Sequence, residues 1–220
     1  MKRFVALILA VTMMLTLAAC GNCAPAESAS EGDSKTANST NVQTEGDSHM
    51  LVAYFSLAGE QYGVGVVEEG NTSIIAHMIA EQTGADLFEI KPETPYPTTY
   101  QELLDVSQQE MADNARPEIV GTVDNMADYD TIFIGYPNWW GDMPMIVYNF
   151  LESYELSGKT IVPFCTHGGS GLSNTESTIA DITGGTMKDG FAIPGTTDQN
   201  DRDTARSKVT EWLKEGGFAE

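Results

Sequence analysis

Three short stretches set chemically useful residues beside glycine. The first begins at Ser56 and resumes at Gly70-Asn71-Thr72, where an apolar run at helical spacing starts. With the eleven residues from Gly59 to Glu69 removed, the join reads Ser56-Leu57-Ala58-Gly70-Asn71-Thr72. Hydroxyls and glycine at a helix N-terminus suit a phosphate, because free backbone N–H groups and the helix dipole favour an anion. Asn71 or Thr72 would equally serve as a plain helix cap. The second stretch is Pro137-Asn138-Trp139-Trp140-Gly141, two adjacent indoles at the end of an apolar run. At a strand end, one such ring can lean into a crevice and stack on a flat aromatic ligand. Burial of both rings in a core is the alternative. The third is Thr166-His167-Gly168-Gly169-Ser170-Gly171, following the apolar run that contains Cys165. Glycines there let backbone approach a ligand closely and donate N–H groups to it. A simple glycine turn would look the same.

Several other chemistries are poorly served. No G-x-G-x-x-G and no Walker lysine is present, which disfavours a dinucleotide or a nucleoside triphosphate. His167-Gly168-Gly169 and Ser170 suggest an esterase loop and nucleophile, but G-x-S-x-G fails because Leu172 stands at its last position. The three histidines, His49, His77 and His167, are scattered, which argues against a metal cluster. The three cysteines, Cys20, Cys23 and Cys165, form no disulfide framework.

The elements that position these loops follow from the hydrophobic pattern. Met50 to Ser56 is a short β-rich run, and Ile74, Ile75, Met78 and Ile79 then share a helical face that stops at Gly84. A second strand is expected at Ala85–Ile90, then a Pro-rich turn and a helix from about Tyr100 to Asn114. The third strand, Asp130–Pro137, is apolar along most of its length, as both-face burial requires. A helix near Met143–Tyr154, a fourth strand near Lys159–Gly169, a helix ending at Gly184, a fifth strand near Gly185–Ile193 and a last helix follow. In that last helix Val209, Trp212 and Leu213 should face inward. Strands alternating with helices give a parallel sheet with right-handed crossovers. Ligands of such sheets sit beyond the carboxyl ends of the strands. In the order 2-1-3-4-5, the loops after strands one, three and four surround one crevice. A phosphate cradle, a stacking surface and a hydrogen-bonding edge together describe FMN.

From about Leu51 onward the chain resembles the flavodoxin family. The motifs Tyr54-Phe55-Ser56 with Gly70-Asn71-Thr72, Pro95-Tyr96-Pro97-Thr98-Thr99-Tyr100-Gln101-Glu102, Gly135-Tyr136-Pro137-Asn138-Trp139-Trp140-Gly141 and Phe164-Cys165-Thr166-His167-Gly168-Gly169-Ser170-Gly171 occur in that family's order. The resemblance implies a flavodoxin-like three-layer α/β sandwich with a five-stranded parallel sheet in order 2-1-3-4-5, and non-covalent FMN. It assigns Ser56, Leu57, Ala58, Asn71 and Thr72 to the phosphate loop. It assigns Pro137, Asn138, Trp139, Trp140 and Gly141 to the loop beside the isoalloxazine. Thr166, His167, Gly168, Gly169, Ser170 and Gly171 fall at the pyrimidine edge. A one-electron carrier is the leading reading that follows. An FMN-dependent NAD(P)H:quinone oxidoreductase and a binding protein that has lost its flavin are the alternatives. The departure is the insertion Gly59–Glu69, whose Gly-Val-Gly-Val-Val core between Tyr62 and Glu68 is expected to form a small β-hairpin beside the phosphate. It would cover the ribityl chain, offer a partner surface, or be a benign excursion. Ala58, where a hydroxyl is frequent in the family, removes one phosphate donor.

Ahead of this domain, assigned to residues 49–220, the chain carries other signals. Lys2 and Arg3 precede an apolar run of about fourteen residues, the length of a signal-peptide core. Leu17-Ala18-Ala19-Cys20 resembles a bacterial lipobox, which makes residues 1–19 a signal peptide and Cys20 the lipidated first residue. Residues 20–48 are polar and read as a disordered tether spanning roughly 25–30 Å. An extracytoplasmic, membrane-anchored lipoprotein is expected, loaded with FMN after export. The formal charge of −21 argues against nucleic acid and suits a basic redox protein partner.

Overall fold

The computed structural model describes residues 49–220. The signal peptide, Cys20 and the tether lie outside the described residues. Strand β1 (Met50–Tyr54) leads into a two-stranded hairpin, β2 (Gly59–Gln61) and β3 (Gly65–Val67). Helix α1 (Asn71–Thr83), β4 (Asp86–Glu89), α2 (Tyr100–Ala112), β5 (Thr131–Pro137), α3 (Met145–Glu152) and β6 (Thr160–His167) follow. The chain closes with α4 (Thr175–Thr183), β7 (Thr186–Met187), β8 (Phe191–Pro194), α5 (Gly195–Asn200) and α6 (Arg202–Glu215).

The main sheet is parallel, in the order β4-β1-β5-β6, with β7 and β8 both on the far side of β6. This is the expected 2-1-3-4-5 order with its fifth strand in two pieces. β7 pairs with Thr160 and Ile161, and β8 pairs with Phe164 to His167. The gap falls at Val162 and Pro163. Proline has no N–H to give a ladder, so the partner strand breaks beside it.

Alternation along the strands sorts the core into two layers. Leu51, Ala53, Ile132 and Ile134 pack with Ile146, Val147 and Phe150 of α3 and Ile179 of α4. Val52, Tyr54 and Phe133 pack on the other face with Ile74, Ile75, Met78 and Ile79 of α1 and Val209 and Leu213 of α6. Each aliphatic side chain buried this way contributes about 1.5–3 kcal/mol. Trp212 is half-buried and stacks on Phe191, with ring centroids 5.1 Å apart. α1 stops as anticipated: Gly84 is left-handed at φ 73° and donates its N–H to the carbonyl of Ala80. The helix after the Pro-rich turn ends at Ala112, two residues short of the expected end, and Asn114 is left-handed at φ 50°. α5 was not anticipated, because Gly195–Asn200 has no apolar periodicity.

Candidate functional site

The carboxyl ends of β1, β5 and β6 are brought side by side by their register, which pairs Tyr54 with Gly135 and Pro137 with Thr166. The loops after these strands therefore meet. In the first, the side chains of Asn71 and Thr72 do not cap α1. Gly70 is the N-cap residue, and Ser56, from seventeen residues upstream, accepts a hydrogen bond from the Ser73 N–H at 3.0 Å. A Cβ at Gly70 would lie 2.3 Å from both the Leu57 carbonyl oxygen and the Ser56 hydroxyl, so only glycine lets these strands of loop close. The N–H groups of Asn71 and Thr72 open the helix without a partner among the described residues. The Thr72 hydroxyl is buried and shares a 2.8 Å hydrogen bond with the hydroxyl of Thr166, tying the first loop to the third. The Asn71 side-chain oxygen is buried and has no partner.

The second loop is a tight turn. Trp139 and Asp142 exchange two backbone hydrogen bonds of 2.9 Å, and Trp140 and Gly141 between them have φ of 56° and 82°. Two successive positive φ values identify a type I′ turn. A tryptophan held in the left-handed region is strained, by roughly 1–3 kcal/mol. Several side chains hold the turn. Asn138 accepts from the Gly141 N–H and donates to the Gly171 carbonyl and the Ser173 hydroxyl. The Tyr148 hydroxyl donates to Asp142 at 2.8 Å. The two indoles divide their roles. Trp139 packs edge-on against Phe55 and Tyr96. Trp140 is 48% exposed and donates its indole N–H to the Ser107 hydroxyl of α2.

In the third loop His167 accepts from the Gly169 N–H through Nδ1 at 2.9 Å, which leaves the proton of the neutral ring on Nε2. Burial lowers the His167 pKa below its usual value, so the ring is neutral at pH 7. Gly168 lies beneath the ring of Tyr62: a Cβ there would come within 2.6 Å of Tyr62 Cδ1. Cys165 lies below the loop, and burial pushes its thiol up to about 12, which keeps it protonated and inert.

These loops enclose one cavity of about 400 Å³. Of the residues singled out from the sequence, Asn71, Pro137 to Gly141 and Thr166 to Ser170 line it. Ser56, Leu57, Ala58, Thr72 and Gly171 do not; Ser56, Thr72 and Gly171 act from behind, holding the loops together. The remaining wall comes from Tyr100, Leu103, Leu104 and Ser107 of α2 and from Glu60, Gln61 and Tyr62 at the insertion. Sequence reasoning did not select these as site residues. The motif that contains Tyr100 and the hairpin expected beside the phosphate were their signals, and nothing local marked Leu103, Leu104 and Ser107.

A family model described as flavodoxin matches residues 49–215. Among solved structures, a candidate flavoprotein from Bacteroides eggerthii DSM 20697 is 32% identical, with a TM-score of 0.62, over 77% of this chain and 98% of that one. A second from Bacteroides uniformis ATCC 8492 is 31% identical, with a TM-score of 0.61, over 76% of this chain and 98% of that one. A flavoprotein from Lactobacillus acidophilus NCFM, solved in complex with FMN, is 22% identical, with a TM-score of 0.54, over 70% of this chain and 97% of that one. No curated protein matches the chain.

Proposed function

Because the chain belongs to the flavodoxin family, we propose that its cavity binds FMN non-covalently and that it carries single electrons between protein partners, tethered outside the cytoplasm through lipid on Cys20. The observation that carries this reading is the convergence of three loops on one aromatic-walled cavity at the carboxyl end of the sheet.

The residues present fit the cofactor. The unpartnered N–H groups of Asn71 and Thr72 offer donors to a phosphate at the start of α1. The buried, unpartnered oxygen of Asn71 lines the same cavity and would accept from a ribityl hydroxyl. Trp139, Trp140 and Tyr62 provide ring surfaces, and the backbone from His167 to Ser170 provides polar groups for a ring edge. FMN supplies the redox chemistry, and the chain supplies binding, orientation and electrostatics. The relative solved with FMN supports the same choice of cofactor.

The carrier role rests on charge. A chain with a formal charge of −21 attracts a basic protein and speeds its encounter, which suits brief contacts between redox partners. The test has two arms. Full-length protein loaded with FMN and mixed with NADPH and a benzoquinone should oxidise NADPH no faster than free FMN does; sustained turnover would make it an oxidoreductase instead. In cells, Cys20→Ser should move the protein out of the membrane fraction, and unchanged membrane association would remove the lipid anchor from the account.

A further inference from the structure

Among the described residues, three buried side-chain polar atoms lack a hydrogen-bond partner: Asn71 Oδ1 and both carboxylate oxygens of Asp198. They belong to one seam of the fold. Asn71 opens α1, and Gly195, which opens α5, packs so closely on its amide that a Cβ at Gly195 would collide with Asn71 Nδ2. Asp198 follows on the same buried face of α5, about 4.5 Å further along the helix axis. Gln199, beside it, donates its side-chain amide to the Glu69 carbonyl at 2.7 Å. Gly195 and Gln199 therefore hold the Glu69–Asn71 segment against α5, with Asp198 between them. The inserted hairpin that ends at Glu69 is also docked at its start, where the Glu60 N–H donates to the Thr98 carbonyl and the Glu60 carboxylate accepts from the Tyr100 N–H, both at 2.8 Å.

The charges around Asp198 are mostly spent on each other. α5 packs on α1, α6 and β8. Arg206 of α6 pairs with Glu81 of α1 at 2.8 Å. His77 of α1 and Arg202 of α6 both meet Glu69 at 3.3 Å. The other charged residues of α6 are exposed to solvent, and β8 carries no charge. Arg202 pulls only weakly on Asp198. An ionised Asp198 would leave three acceptors and no donor in the seam, with a poorly screened charge behind the N–H groups that open α1. A protonated Asp198 supplies a donor and removes the charge. Burial favours that neutral acid, raising the carboxyl to about 8.

We infer that Asp198 is a proton-linked specificity residue for the phosphate of FMN: as a neutral acid it leaves the start of α1 open to a dianion, and as a carboxylate it repels one. This inference rests on the FMN reading. Binding of the dianion holds the proton on Asp198, and loss of that proton weakens binding. Affinity for FMN is therefore full below about pH 8 and falls above it. Riboflavin has the same ring without the phosphate, so its affinity is indifferent to Asp198.

Full-length protein is titrated with FMN and with riboflavin from about pH 7, where the phosphate is already largely a dianion, to about pH 9. The ratio of FMN to riboflavin affinity should fall about tenfold across this range in the wild type and stay level in Asp198→Asn and Asp198→Ala. In flavin-free protein, infrared difference spectra of wild type against Asp198→Asn should show the carbonyl band of a protonated carboxyl at pH 7 and largely lose it by about pH 9. A level ratio in the wild type, or a fall that persists in Asp198→Asn, would overturn the inference while FMN binding stands. Absence of the protonated band at pH 7 would overturn it without reference to flavin. Failure of the wild type to bind FMN at any pH would overturn the FMN reading and the linkage with it, whatever the infrared band shows.

Discussion

Asp198 is the residue most at odds with its surroundings. It is fully buried on α5, and neither carboxylate oxygen has a hydrogen-bond partner. Burial raises its pKa from 3.8 to about 8, against the smaller opposing pull of the nearby Gln199 N–H, which falls short of a formed hydrogen bond, and of Arg202. The folded protein therefore holds a proton that the unfolded chain has released. Stability should fall as pH rises from about 4 to about 8 and level off above that. Asp198→Asn should remove this slope and raise stability at pH 7 by about 2 kcal/mol, read from urea unfolding across pH. A variant that keeps the wild-type slope would mean that the slope comes from other groups and that Asp198 does not carry the extra proton. At this scale the sequence displayed residue types but not their assignments. The hydroxyls of Ser56 and Thr72 were legible as polar groups near a helix start, yet one bonds to the Ser73 N–H of α1 and the other to Thr166 of β6. Asn138, expected beside the ring, lines the cavity and also stitches the second loop to the third. Nothing local distinguishes the two roles, because most of these partners lie 17 to 94 residues away in the chain.

Element order was far more legible, and the reason is burial. β1, β5 and β6 are central strands covered on both faces, so they show as nearly unbroken apolar runs. The edge was less legible: the fifth strand divides where Pro163 of its neighbour offers no donor, a cause that lies in another strand. The hairpin could be anticipated from Gly-Val-Gly-Val-Val, but its docking on Thr98, Tyr100 and Gly168 could not. Glycine carries a second lesson inside the sheet. A Cβ at Gly135 would lie 2.1 Å from the Phe164 ring of the adjacent strand, which fills the space that the glycine leaves. Gly135→Ala should destabilise the domain by roughly 1–3 kcal/mol through overpacking, measured by denaturant unfolding. A neutral result would mean that Phe164 has room to shift.

At the scale of the whole molecule, fold and cofactor class were legible together because the same three loops report on both. Their order along the chain sets the sheet order, and the sheet order brings them to one crevice. The contribution of Leu103, Leu104 and Ser107 of α2 to that crevice was not legible, since they follow an ordinary amphipathic pattern. Under the proposed lipid anchor at Cys20, the formal charge of −21 would favour basic partners near a membrane. All of this depends on the cavity holding a flavin. The direct test is to titrate FMN into the purified full-length protein while recording flavin fluorescence and the visible spectrum. The account predicts saturable one-to-one binding with strong quenching of flavin fluorescence by the stacked indoles, and loss of much of that quenching in Trp139→Ala or Trp140→Ala. A folded protein that leaves FMN fluorescence and its visible bands unchanged would contradict it.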